Sequence, residues 1–361
     1  LSTAQESGFT PDGSWLAIHT GDDRCFDFEA PEASWVSLFD TTTWQEGARL
    51  QMEGAVLEVA NFNADASRFL IHDLATANAE LRSFPQQELI NQIPDSRGYW
   101  RLGPTGEQVV LAPPTDSRRR LLARADNNET ISYLEVGDFA TGDSMQFSQD
   151  GFMLGVPTRT HDYVFSTETG ELLVDLGNTG TTNTMDFTAD GTRLLTTNPT
   201  GAQIWDLTGR TSTSGTALSV PGASENWINP NAVVDGTDLA IRVIVDDGPR
   251  DDKDAWVTLV IDPDTGSTIE HIVGDSLQLP DGRFVVARRS LGIEDWQLGP
   301  LVVLDRTSGS TTELDPCVAS LADLLDGSET DCPAPFFSWY AYEHDHLVSS
   351  ADGSFFFATS Y

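Results

Sequence analysis

The densest run of ligand-type side chains in this 361-residue chain is Asp246-Asp247-Gly-Pro-Arg-Asp251-Asp252-Lys-Asp254, five carboxylates in nine residues. Hard cations such as Ca²⁺ take about six to eight oxygen ligands, and carboxylates crowded on a flexible loop supply several of them. The order does not match an EF-hand, so a solvated acidic loop is the competing reading. Asp262-Pro-Asp264-Thr-Gly266 starts like a calcium loop, but a strand-end turn explains it as well. Glu343-His344-Asp345-His346 alternates like a strand, placing His344 and His346 on one face where a transition metal could bind. Beyond a Ca²⁺ ion at the acidic loop, no cofactor is expected.

Other chemistries find less support. No Gly-x-Ser-x-Gly elbow is present, and His19, His72, His161, His271, His344 and His346 are scattered along the chain. No catalytic residue is assigned. A Ser-His-Asp site would have to assemble from distant parts. A phosphate-binding Gly-x-x-x-x-Gly-Lys-Ser/Thr loop is absent, and the single lysine, Lys253, lies in the acidic loop. Arg118-Arg119-Arg120 is the only basic cluster and reads as a solvated loop. Of nine tryptophans, Trp15, Trp205 and Trp256 read as strand residues that pack in a core. Trp35, Trp44, Trp100, Trp227, Trp296 and Trp339 leave a sugar-binding surface open.

Charge and length set outer bounds. Twenty basic and 56 acidic residues leave a net charge of −36. Such a surface repels nucleic acid and anionic lipid, favours cationic partners, and suits a high-salt habitat equally well. With 39% hydrophobic residues a real core is affordable and general disorder is excluded. No apolar run is long enough to cross a membrane as a helix, and no signal-peptide pattern opens the sequence. Cys25, Cys317 and Cys332 are too few for a disulfide scaffold. Cys317 and Cys332 could close one loop, which would favour an extracytoplasmic location; left unpaired they favour the cytoplasm.

The elements that must hold these residues are announced by repetition. Phe9-Thr-Pro-Asp12-Gly13, Phe147-Ser-Gln-Asp150-Gly151, Phe187-Thr-Ala-Asp190-Gly191, Leu279-Pro-Asp281-Gly282 and Ser350-Ala-Asp352-Gly353 each precede an apolar run. Degenerate copies occur at Phe62-Asn-Ala-Asp65-Ala66, Leu102-Gly-Pro-Thr105-Gly106 and Val234-Asp235-Gly236. Asp-Gly before alternating apolar residues predicts a hairpin with a tight two-residue turn. Most intervals between copies lie near the 40–45 residues, approximately, of a four-stranded propeller blade. A second pattern is an apolar run ending in Asp or a hydroxyl and then a Thr/Gly turn, as in Ile204-Trp205-Asp206-Leu-Thr-Gly209 and Val164-Phe-Ser166-Thr-Glu-Thr-Gly170. These read as the outer strand of one blade turning toward the next. Short helices are expected at Ala319–Leu325 and, more weakly, Ala75–Glu80.

On these repeats, with Ile204-Trp205-Asp206 as the best match to a Trp-Asp strand end, the chain resembles the WD40-like bacterial β-propellers. The resemblance spans about residues 8–361. It implies an all-β propeller of four-stranded antiparallel blades, eight preferred and seven the alternative, forming one domain over 1–361 with an insertion at about 313–335. It further implies a non-enzymatic protein-interaction scaffold or ligand-sensing domain, part of a larger bacterial regulatory or surface protein, with a protein or peptide partner. The alternatives are a propeller hydrolase or lyase, or an enzyme's accessory propeller, either one Ca²⁺-dependent, and a surface adhesion module.

Overall fold

The computed structural model describes residues 3–10, 14–21, 34–40, 46–52, 56–73, 78–94, 100–112, 118–137, 145–178, 182, 184–188, 190–198, 201–208, 215–218, 223–230, 239–245, 255–262, 265, 267–273, 275–278, 284–289, 298–305, 310–314, 317–318, 336–337, 346–349 and 356–359. Among them every regular element is a strand.

Among the described residues, seven four-stranded antiparallel meanders follow one another. Sheet 1 is Thr3–Phe9, Trp15–Gly21, Ser34–Asp40 and Glu46–Met52; sheet 2 is Val56–Phe62, Arg68–Asp73, Asn78–Ser83 and Leu89–Ile93. Sheet 3 is Trp100–Leu102, Gln108–Leu111, Arg119–Arg124 and Thr130–Glu135; sheet 4 is Gln146–Phe147, Met153–Pro157, His161–Ser166 and Leu172–Asn178. Sheet 5 is Thr184–Phe187, Arg193–Asn198, Gly201–Asp206 and Gly215–Leu218; sheet 6 is Ala223–Pro230, Leu239–Val245, Ala255–Ile261 and Thr268–Val273. Sheet 7 is Asp275–Gln278, Phe284–Arg289, Leu298–Asp305 and Ser310–Leu314. Two two-stranded pairs follow: Cys317–Val318 with Phe336–Phe337, parallel, and His346–Ser349 with Phe356–Thr359, antiparallel.

The chain divides into two compact units. One holds Leu1–Asp116, Arg120–Tyr133 and Pro316–Tyr361; the other holds Ser117–Arg119 and Leu134–Asp315. In each, the core is a layer between successive sheets, as expected when strands bury alternate residues. In the first unit, Leu70, Ala79, Leu81 and Ile93 of sheet 2 meet Trp100, Leu102, Val109 and Ala123 of sheet 3. Ala17, Val36 and Leu38 of sheet 1 cluster with Trp15, Leu50, Phe62 and Phe84, and Phe62 stacks on Phe69 at 5.5 Å. The strand His346–Ser349 lies against the first strand of sheet 1. In the second unit, Met153, Val164 and Val174 of sheet 4 meet Met185, Phe187, Leu194 and Trp205 of sheet 5. Gly155 makes that approach possible: a Cβ there would come within 2.2 Å of the Met185 Sδ.

Several expectations change. The apolar runs ending in Asp or Ser are third strands, and their Thr/Gly turns lead to the fourth strand of the same sheet. A meander puts both the first and last turns of a sheet at one end, so the two turn types are neighbours within a repeat. Asn78–Ser83 is a strand, overriding the weak helical pattern of Ala75–Glu80, because Ala79 and Leu81 bury one face between sheets. The Ala319–Leu325 helix lies outside the described residues. Arg119 and Arg120 belong to a third strand rather than a solvated loop. Arg120 is 2% exposed, and burial pushes its guanidinium pKa down. Arg119 pairs with Glu135 at 2.7 Å.

Candidate functional site

Among the described residues, the turns between first and second strands repeat one hydrogen-bond pattern. In sheet 4, the Ser148 N–H donates to the Met153 carbonyl (2.9 Å) and the Gly151 N–H to the Ser148 carbonyl (2.8 Å). The buried Ser148 Oγ accepts the Met153 N–H (2.9 Å) and donates to Asp150 Oδ1 (2.6 Å), which also takes the Phe152 N–H (3.0 Å). Four residues, not two, therefore bridge the strands. Only Gly151 has positive φ, +76°, while Asp150 serves through its carboxylate, as short polar side chains do in turns.

Sheet 5 repeats the network. Thr188 Oγ1 donates to Asp190 Oδ1 (2.6 Å) and accepts the Arg193 N–H (3.0 Å), and Gly191 takes φ +67°. Sheet 2 builds it from Asn63, whose Nδ2 donates to Asp65 Oδ1 (2.7 Å) and whose Oδ1 accepts the Arg68 N–H (2.8 Å), with Ala66 at φ +55°. Hydrogen bonds from Thr188 hold the Asp190 carboxyl below its usual range, and those from Ser67 do the same for Asp65.

The turn between third and fourth strands docks onto this hairpin. Phe84, Ala125, Thr167 and Leu207 donate their N–H to the carbonyls of Ser67, Glu107, Phe152 and Thr192, at 2.8 to 3.1 Å. Thr167 Oγ1 adds a bond to the Gly151 carbonyl (2.5 Å). These second turns have their own left-handed residue, Gln87, Asn128 or Gly170. Within each unit, turns of successive sheets also touch. The Ala64 N–H donates to the Pro104 carbonyl (2.7 Å) and Arg68 Nη1 to the Gly106 carbonyl (2.9 Å). In the other unit, Gly191 abuts Met153 and Asp150. At the last position of the turn, Thr192 Oγ1 bonds back to the Asp190 carboxylate (2.9 Å) and the Ser67 hydroxyl accepts from Asn63 Nδ2 (3.2 Å), whereas sheet 3 has Glu107 and sheet 4 has Phe152, which is 63% exposed.

At the opposite end of sheet 4, Asp162 is fully buried. It accepts the Thr158 N–H (3.3 Å) and the Thr182 hydroxyl (2.6 Å), tying the turn after the second strand to the residues leading into sheet 5. The Trp205 indole N–H donates to Thr196 Oγ1 (2.9 Å) in the adjacent strand of sheet 5. Both are structural bonds that satisfy buried polar groups.

One acid stands apart. Asp186, in the first strand of sheet 5 between buried Met185 and Phe187, keeps some exposure. Its carboxyl pKa is pushed up to about 7 by burial, against a hydrogen bond from the Phe187 N–H. Such a group holds or releases a proton near neutrality and can accept a cation or hydrogen-bond donor.

The residues singled out for metal binding are not brought together by anything described here. Asp246, Asp247, Asp251, Asp252 and Asp254 lie outside the described residues, as do His344 and Cys332. His346 is placed only as the first residue of a C-terminal strand, and Cys317 as the first of a short parallel strand. Among the described residues, no three His, Cys, Asp or Glu side chains form a metal-binding group. His161 stacks on Tyr163 (6.2 Å) at the start of a third strand. Sequence reasoning missed Asp162, Asp186 and Phe152. For Phe152 a signal existed: it is the aromatic among Ser67, Glu107 and Thr192 at equivalent repeat positions.

No protein-family model matches the chain, and no curated protein matches it.

Proposed function

We propose that this chain is a WD40-like β-propeller acting as a non-enzymatic protein-interaction scaffold. The observation behind the functional step is the turn end of the sheets. One hydrogen-bond frame recurs in sheets 2, 4 and 5; where sheets 2 and 5 close it with the hydroxyls of Ser67 and Thr192, sheet 4 presents the exposed Phe152 instead. A rigid frame with variable tips is how binding residues are usually presented. The propeller reading is supported by successive four-stranded meanders whose cores lie between neighbouring sheets, and by the packing of His346–Ser349 against the first strand of sheet 1. Closing a ring removes exposed sheet edges. The net charge of −36 favours a basic protein or peptide over nucleic acid.

Two measurements test this. Single-particle imaging of the chain should give a ring with an axial channel; two separate lobes would overturn the propeller. A photo-crosslinking amino acid placed in turn at Glu107, Phe152 and Leu172 should capture the same partner from at least two positions in native cells. Crosslinks from none of them would overturn the scaffold role of this surface.

A further inference from the structure

We infer that the turn end of sheet 4 is a docking surface for a basic protein or peptide that offers an apolar pocket, with Phe152 as its anchor. This rests on the scaffold reading and narrows it to one surface and one class of partner.

An isolated exposed apolar residue is ordinary; here three features coincide. The first is the anchor itself. Phe152 is 63% exposed and Leu172, which opens the fourth strand at the same end of the sheet, is 51% exposed. The turn does not need an aromatic: Ser67, Glu107 and Thr192 take the same backbone bonds. The second is rigidity. Asp150 holds the Phe152 N–H, and Thr167 holds the carbonyls of both Phe152 and Gly151. Little backbone freedom remains to be lost on binding, which favours affinity. The third is charge. Asp150, Glu168 and Glu171 are exposed around the anchor, and residues 148–153 and 166–172 contain no Lys or Arg. The abutting turn of sheet 5 adds Asp190 and Asp206, offset by Arg193. An apolar anchor in an acidic rim is complementary to an apolar pocket flanked by Arg or Lys, since apolar contact supplies affinity and rim charge supplies steering and selectivity.

The test is a selection of displayed random peptides on the intact chain, followed by titration of the synthetic peptides. Peptides that place Arg or Lys around an aliphatic or aromatic residue are expected. Phe152→Ser should weaken them by about tenfold or more, whereas Phe152→Tyr should largely retain them. The double change Glu168→Gln, Glu171→Gln should weaken them several-fold and flatten their salt dependence. Leu89→Ser, another exposed apolar position, should have no effect. Thermal melting of Phe152→Ser should match the parent, because the side chain is exposed. Peptides that bind Phe152→Ser as tightly as the parent overturn this surface while leaving the scaffold reading standing. Acidic or neutral binders, insensitive to the glutamine changes, overturn the basic-partner assignment. If nothing is selected, the scaffold reading falls and this surface with it.

Discussion

The hairpins of sheets 2 and 5 make the same turn from different parts. Sheet 5 uses Thr188, Asp190 and Gly191; sheet 2 uses Asn63, Asp65 and Ala66. Between these two sheets the glycine is replaceable while a first-position side chain that both donates and accepts is kept; sheet 3 makes the same backbone bonds with Gly103 there. Asn63 does more than Thr188: it also reaches Ser67 Oγ at 3.2 Å and lies against Gly106 of the next sheet. The first strands differ as well. The residue two before the turn is Asn61 in sheet 2 and Asp186 in sheet 5, so sheet 5 places an ionisable group where sheet 2 has an amide. The turn is a conserved geometry in this molecule, and the chemistry beside it is free to change.

The largest effect expected from this contrast is at Asn63. Asn63→Ala leaves the Arg68 N–H without its acceptor and removes a contact between sheets; it should lower unfolding free energy by about 2–3 kcal/mol in urea melts. Thr188→Ala should lower it by about 1–2 kcal/mol, and Thr188→Ser should recover most of that. Equal losses for the two alanine variants would break the claim that Asn63 serves two sheets.

Next comes Asp186→Asn, which makes sheet 5 resemble sheet 2. Between the ordinary carboxyl pKa of 3.8 and about 7, the folded chain holds a proton that the unfolded chain has released. Stability contributed by this site therefore falls as pH rises through that window and stays lower above it. The asparagine variant should lose this decline and gain about 2 kcal/mol at about pH 8, less than the full shift implies because the side chain keeps some exposure. A parent and variant with parallel stability–pH curves would count against a burial-raised carboxyl.

Smaller again are the reciprocal exchanges at the left-handed position. Gly191→Ala should cost about 1 kcal/mol from backbone strain, since the added Cβ meets nothing closer than 3.5 Å. Ala66→Gly should stay within about 0.5 kcal/mol, strain relief being offset by the loss of a buried methyl and by a freer unfolded chain. The smallest effects belong to the exposed carboxylates. Asp65 and Asp190 have lowered pKa values, so their contribution is present above about 3.8 and fades as pH falls below it. Asp65→Asn and Asp190→Asn should each remove only a few tenths of a kcal/mol of that acid dependence.

Much of the fold was legible because a hairpin writes its signature locally. The spacing of Asp150, Asp190 and Asp65 with their following apolar strands predicts repeated sheets, and repeated sheets are found. The turn type differs from the expected two-residue loop because Asp-Gly alone does not reveal that Ser148 or Thr188, two residues earlier, closes a longer loop with its hydroxyl. The third strands read as outer strands for a related reason: a strand ending in Asp206 or Ser166 looks the same whether its successor pairs in the same sheet or begins another. Of the candidate site, less was readable. Phe152 sits in an apolar run; apart from its repeat position, only exposure separates it from Met153 beside it, which is 7% exposed. Asp186 lies in an ordinary strand, and only the burial around it changes its proton affinity.

From the amino acids alone come the all-β class, the repeat and its period, the turn residues and the acidic surface, because alternation, turn chemistry and net charge are properties of short segments or of simple sums. Tertiary structure alone decided which strands share a sheet, that Asp162 and Arg120 are buried, that Gly155 admits Met185, and that the two turns of a sheet lock into one end with Phe152 outward. Those outcomes depend on which distant segments meet, and burial, unlike sequence pattern, is set by what lies on the other side of the contact.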